Sequence, residues 1–138
     1  DDTHIDFGDL PTIYCHELEF IQLFEQLIAN AVKYRRPGVP SHIRIAAERG
    51  PGFVSVYVRD NGVGIAPEFR NRVFDVFQRL HSRSEYPGTG IGLAICRKIV
   101  ESHGGRIWVE TGENGGACFC FTVPDVASAP DDTHKLKA

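Results

Sequence analysis

In Phe53-Val54-Ser55-Val56-Tyr57-Val58-Arg59-Asp60-Asn61-Gly62-Val63-Gly64, valines alternate with polar residues until the alternation puts a carboxylate where an apolar side chain belongs. The period of two predicts a strand over Phe53 to Asp60, with Val54, Val56, Val58 and Asp60 on one face. A carboxylate facing a core is costly unless something bonds it. The glycines that follow let the backbone turn sharply and let a ligand come close. One reading is an acceptor at the bottom of a pocket, ready for a donor such as an exocyclic amine. The other is an Asp that opens a turn after a strand. The motif alone does not choose between them.

Working outward, the strand has a partner before it. His42 to Glu48 is β-like, and Arg49-Gly50-Pro51-Gly52 joins the two as a hairpin turn. Glu17 to Tyr34 lacks Gly and Pro, and Phe20, Leu23, Phe24, Leu27, Ile28 and Ala31 recur at three and four, which predicts an amphipathic helix. Its other side carries Gln26, Asn30 and Lys33 in a narrow arc. Such oxygens can hold hydrated Mg²⁺ and the lysine can meet phosphate, but alone the stripe reads as a solvated face. Thr3 to Tyr14 predicts one or two short strands, and Glu68 to Phe77 a short helix or two.

After the strand, Gln78 to Gly90 is a polar loop. It runs into Gly88-Thr89-Gly90-Ile91-Gly92-Leu93 and then a helix from Ile91 to Ser102, closed by Gly104-Gly105. Backbone N–H groups at a helix start form an anion site, and glycines let phosphate approach them. No Gly-Lys-Ser/Thr follows, so this is not a P-loop. The preceding segment, His81 to Pro87, looks like a mobile lid with a glycine hinge. Such glycines also serve tight packing. Arg106 to Thr111 and Ala117 to Val123 are strands, and beyond Pro124 the chain is expected to be loose.

Composition sets the frame. The chain has 138 residues, a net charge of −3, 42% hydrophobic and 24% charged residues, which fits one globular domain. Mild acidity argues against a nucleic-acid partner, and no apolar run is long enough to span a membrane, so no direct membrane contact is expected. The start is not a signal peptide, and the absence of methionine fits a segment of a longer chain. Cys15, Cys96, Cys118 and Cys120 show no C-x-x-C spacing and read as buried thiols in a reducing, cytoplasmic compartment; Cys118 and Cys120 share one face of their strand.

The order of the three motifs is specific: an Asn on a long helix, Asp-x-Gly-x-Gly after a strand, and Gly-x-Gly-x-Gly opening a second helix. Here the chain resembles, over residues 10–124, the catalytic ATP-binding domain of sensor histidine kinases. These belong with the gyrase, mismatch-repair and heat-shock ATPases. Leu27 to Tyr34 looks like the N box, Asp60 to Ile65 the first glycine box, Phe74-Asp75-Val76-Phe77 the F box, and Gly88 to Leu93 the second glycine box. The stretch from Phe77-Gln78-Arg79-Leu80-His81 through Tyr86-Pro87-Gly88 is similar to phytochrome-like kinases in particular.

The resemblance implies a two-layer α/β sandwich of the Bergerat type, a mixed and mostly antiparallel sheet covered on one face by helices. It implies domain limits of 1–124, with 125–138 a flexible tail. It implies that Asp60 accepts from adenine, and that Gly62 and Gly64 shape the base pocket with Ile65 against its wall. Asn30, with Gln26 beside it, would hold Mg²⁺, with Lys33 and Tyr34 near phosphate or ribose. Arg79 and His81 would lie beside the phosphates, and Gly88, Thr89, Gly90, Ile91, Gly92 and Leu93 would close over them. Phe74 and Phe77 would anchor the lid, or serve as plain core aromatics.

The implied activity is that of a protein-histidine kinase incomplete without its acceptor. ATP and Mg²⁺ bind here, the γ-phosphate goes to a histidine on a separate dimerisation domain, and then to an aspartate on a response-regulator receiver domain. No side chain of this chain is the expected nucleophile. His16, which precedes Glu17, mimics an acceptor box, but it opens the helix that carries Asn30 and reads as a helix-start residue. His4, His42, His103 and His134 read as surface or turn histidines. Related kinases usually carry Asn at the position of Gln26, and related hydrolases carry a general-base Glu. Gln26 cannot take a proton and Glu25 points elsewhere, which disfavours rapid hydrolysis. The last strand often supplies a hydroxyl near adenine, where this chain has Ala117 and Cys118. A stand-alone ATPase or Ser/Thr kinase of the same superfamily, or a degenerate nucleotide-binding module, are the alternatives; Gln26 counts against the ATPase and the intact boxes against the module.

Overall fold

The computed structural model describes residues 3–75, 92–112, 115–125 and 134–137. Five strands form the main sheet in the order β1-β3-β4-β6-β5: β1 is Thr3–Phe7, β3 Ser41–Gly50, β4 Phe53–Asp60, β5 Ile107–Thr111 and β6 Ala117–Pro124. Among the described residues of this sheet only β1 with β3 is parallel; β3–β4, β4–β6 and β5–β6 are antiparallel. The helices α1 (Glu17–Lys33) and α2 (Gly92–Ser102) lie on one face. The expected α/β layer with a mixed, mostly antiparallel sheet is what the chain forms.

The core follows from the two periodicities. Along α1, Phe20, Leu23, Leu27 and Ala31 are buried, and along α2, Cys96, Ile99 and Val100. They meet Ile43 and Ile45 of β3, Val54, Val56 and Val58 of β4, and Phe119, Phe121 and Val123 of β6. Phe121 is fully buried and takes Phe20 and Phe24 edge-on at ring-centroid separations of 6.0 and 5.7 Å. Glu17 and Glu19 sit in the first turn of α1, where negative charge suits the helix dipole. Gly104, at φ +85°, ends α2, and the Gly105 N–H reaches back to the Val100 carbonyl at 3.0 Å.

The structure differs from the sequence reading at four places. The β3–β4 turn is only Pro51-Gly52, since Arg49 and Gly50 still pair with Val54 and Phe53. In Glu68 to Phe77, the described part holds a single 3-10 turn, Pro67–Phe69, followed by turns up to Phe74. The segment after Pro124 is not wholly loose: His134–Lys137 forms β7, antiparallel to β2 (Thr12–Cys15). This pairing satisfies backbone groups of β2 that the main sheet does not meet.

The fourth difference is His103, which is no plain surface histidine. Its ring meets Phe20 edge-on at 4.7 Å. Nδ1 lies 2.9 Å from the Ile99 carbonyl, which makes it the donor, and Nε2 then accepts from the His16 N–H at 3.1 Å. His42 is also engaged, with Nε2 2.6 Å from Asp6. His16 does stand at the N-cap position of α1, without a side-chain cap bond.

Candidate functional site

Asp60 ends β4 on the helix-covered face and is 6% exposed, as the alternation requires. Its Oδ1 accepts two backbone N–H groups, from Gly62 at 2.9 Å and from Ala117 at 3.1 Å. Among the described residues neither bond reaches Oδ2. Burial pushes the carboxyl above its ordinary range, and the two N–H bonds pull against that shift without cancelling it. The result is a half-satisfied acceptor at the edge of the core, suited to a neutral N–H donor.

Glycines bring three backbones together around this carboxylate. A methyl at Gly62 would lie 2.5 Å from the Tyr34 carbonyl oxygen, and Val63 donates to that same oxygen at 3.0 Å. The end of α1 is thereby tied to the loop after β4. A methyl at Gly116 would lie 2.1 Å from the Asp60 carbonyl oxygen, so the β5–β6 turn rests on the same residue from the other side. Gly64 takes φ +75° against the Gly115 carbonyl. Ile65 is half-buried against the core beneath this loop.

Asn30 and Lys33 lie on the last turns of α1, half-buried, with Tyr34 as its C-cap. The Lys33 ammonium stands 5.4 Å from the centre of the Tyr34 ring. Gln26 lies one turn before Asn30 and is half-buried, whereas Glu25 is exposed. The start of α2 comes up against Gln26: a methyl at Gly92 would sit 2.5 Å from its Oε1. Leu93 is half-buried against the core. Thus Gln26 faces a helix N-terminus, the place where an anion is favoured. Phe74, 4% exposed, packs edge-on to Phe119 and serves the core. Phe77, Arg79, His81, Gly88, Thr89, Gly90 and Ile91 lie outside the described residues.

Several participants were not expected from sequence. Arg36 donates from Nε to the Gly62 carbonyl at 2.9 Å. Asn61 clips β4 to the start of β3: its Oδ1 accepts from the His42 N–H at 2.8 Å and its Nδ2 donates to the Pro40 carbonyl at 3.1 Å. Ala117 contributes through its backbone, so the missing hydroxyl of β6 is not what bonds Asp60. The Gly115-Gly116 pair was the available signal, since adjacent glycines beside a strand mark close backbone approach.

The model of the family described as histidine kinase-, DNA gyrase B- and HSP90-like ATPase matches residues 15–127. Cyanobacterial phytochrome A of Nostoc sp. is 52% identical over 121 residues, 88% of this chain; the chain spans 16% of that protein's length. The mycobacterial sensor histidine kinase MprB superposes with a TM-score of 0.78 at 25% identity, covering 90% of this chain and 83% of that one. Full-length ShkA in complex with AMPPNP superposes with a TM-score of 0.74 at 31% identity, covering 93% of this chain and 27% of that one.

Proposed function

The chain belongs to the family of histidine kinase-, DNA gyrase B- and HSP90-like ATPases, as an ATP-binding catalytic domain of the sensor-histidine-kinase kind, and from that premise we propose a division of labour among its residues. The family implies ATP and Mg²⁺. Asp60 takes the adenine amino group on the carboxylate oxygen that neither backbone N–H reaches. Gly62, Gly64 and Ile65 form the wall around the base. The observation that carries this reading is a buried carboxylate held from one side only.

The donor set at the other end fits a hard cation and phosphate. The Asn30 and Gln26 amides offer neutral oxygens, and Lys33 and Tyr34 stand beside them. Asn30 would hold Mg²⁺ with Gln26 beside it, and the ion, when bound, neutralises phosphate charge. Lys33 and Tyr34 would meet phosphate or ribose. Arg79, His81 and the segment Gly88 to Leu93 would surround the phosphates. The α2 N-terminus, which includes Gly92, adds the partial positive charge of its free N–H groups.

No residue at Gln26 can draw a proton from water, so the chain positions the γ-phosphate and leaves the nucleophile to others. That nucleophile would be a histidine on a dimerisation and phosphoacceptor domain of the same kinase. A receiver domain of a response regulator would take the phosphoryl group next.

The test is calorimetric titration of the chain and of Asp60→Asn with a non-hydrolysable ATP analogue and Mg²⁺. An amide in place of the carboxylate removes the charged acceptor, so binding should weaken by about tenfold or more. Equal affinity in both proteins would remove adenine from Asp60.

A further inference from the structure

The sheet face turned away from the helices carries two thiols that the nucleotide site does not use. On β6, Phe119, Phe121 and Val123 point to the helices, and the alternation turns Cys118 and Cys120 to the opposite face. Their sulfurs are 3.6 Å apart. Arg59 and Glu110 flank Cys118, and Tyr57 and Trp108 flank Cys120, from the strands on either side. Arg59 lies over the Tyr57 ring, Arg106 over Trp108, and the Trp108 N–H donates to Glu110 at 2.8 Å. Among the described residues no third His, Cys, Asp or Glu joins the pair as a metal ligand would. Two sulfurs in contact, without a metal geometry, are suited to oxidation.

We propose that Cys118 and Cys120 are a redox pair, closed by a peroxide to an intrastrand disulfide, and that closure weakens nucleotide binding at Asp60. The second half rests on the function proposed above. Cys118 is the sulfur that reacts first: it keeps 3% of its surface, whereas Cys120 keeps none. The Cys120 thiol bonds to it and the Arg59 charge faces it, and both favour its thiolate. The same contact holds Cys120 protonated. Cys15 and Cys96 stand apart, with burial pushing them up to about 11 and about 12.

The chemistry balances. The Cys118 thiolate attacks one oxygen of hydrogen peroxide; an S–O bond forms, the O–O bond breaks, and hydroxide leaves and takes up a proton as water. The Cys120 sulfur, giving up its proton, attacks the sulfenic sulfur. The S–S bond forms, the S–O bond breaks, and a second water leaves. Two thiols lose two electrons and two protons, and one peroxide becomes two waters.

Closure acts on Asp60 through β6. In an extended strand, Cα atoms two residues apart are separated by about 6.6 Å, whereas disulfides favour about 5.5–6 Å. The bond therefore draws the strand together at Cys118. The next residue, Ala117, donates one of the two bonds that hold Asp60, and Arg59, the residue before Asp60, pairs with Cys118.

The experiment treats the chain with hydrogen peroxide, maps cross-linked peptides by mass spectrometry, and measures ATP-analogue affinity and the thermal midpoint before and after, then after dithiothreitol. Expected are a Cys118–Cys120 cross-link, a loss of affinity of about tenfold, a changed midpoint, and recovery on reduction. Cys120→Ala and, as a second variant, Cys118→Ala should bind the analogue as the parent does and form no cross-link with peroxide, and Cys118→Ala should keep its affinity after the treatment. Sulfinic acid without a cross-link, or a cross-link to Cys15 or Cys96, would overturn the pair. A Cys118–Cys120 cross-link with unchanged affinity would overturn the coupling, whatever the midpoint does. If the reduced chain bound no nucleotide, the functional reading and the coupling would fail together, while the cross-link would still decide the redox pair.

Discussion

Asp60 is kept where the fold alone would not want it. Burial raises its pKa, and the Gly62 and Ala117 N–H bonds offset only part of that. A carboxyl with a raised folded-state pKa contributes stability that is full below its ordinary value and lost as pH rises through the folded value. At neutral pH the free chain therefore bears the cost of a carboxyl that ionises less readily folded than unfolded. Asn in its place keeps an oxygen for both N–H groups and removes the charge. The nucleotide-free Asp60→Asn chain should thus melt higher than the parent at pH 7, with the gap narrowing as pH falls through the carboxyl range. Thermal scans over that range check this, and a lower midpoint for Asp60→Asn at pH 7 would contradict it. Stability and binding then move in opposite directions at one residue, as expected of a group retained for function. Its burial was legible in the sequence because a period of two fixes a side chain's face without knowledge of any neighbour. Its partner Ala117 was not, because a backbone N–H leaves no mark on side-chain pattern and the contact spans 57 residues.

Between elements, the two helices are joined at both ends. At one end the start of α2 comes up to Gln26 of α1, and the Cys96 thiol reaches toward the Leu23 carbonyl at 3.9 Å. At the other, His103 at the end of α2 closes on the first turn of α1, with one ring nitrogen on each helix and its ring edge on Phe20. His103→Ala would leave the His16 N–H without its acceptor in a half-buried place and open space beside a fully buried phenyl ring. The expected loss is about 1–3 kcal/mol, read as a lower urea midpoint with unchanged slope. A midpoint within error of the parent would show that water replaces the imidazole at no cost. Helix and strand limits were legible wherever apolar residues repeat over three or more turns or pairs, as in α1 and β4. The role of His103 was not, because a histidine next to Gly104-Gly105 has the local sequence of a solvent-exposed helix end. Nor was β7, since four residues, His134–Lys137, carry no periodicity of their own and gain a partner only when β2 is present in space.

At the scale of the molecule, the proposed function makes this chain the nucleotide-holding half of a reaction whose nucleophile lies elsewhere, and Gln26 is where that division would be enforced. Gln26 lies one helical turn before Asn30 and faces the N-terminus of α2, beside the place proposed for phosphate. A water there meets an amide that cannot take its proton, so ATP bound by the chain alone should turn over slowly. Gln26→Glu supplies a carboxylate base of nearly the same shape. The free N–H groups of the α2 start favour the ionised carboxylate, which keeps it a base at neutral pH but also lowers its strength. General-base assistance is worth about 10²–10⁴-fold at its best, and the weakened base argues for the lower end. Phosphate release from ATP, measured at saturating ATP and Mg²⁺, should therefore rise by about 10–100-fold in Gln26→Glu. Gln26→Asn, which cannot act as a base either, should leave hydrolysis at the parent level, and any gain it makes should appear as transfer to a supplied histidine-bearing domain. If the parent hydrolysed ATP as fast as Gln26→Glu, water would be a competent nucleophile here without help from residue 26. The chain would then have to be read as a stand-alone ATPase.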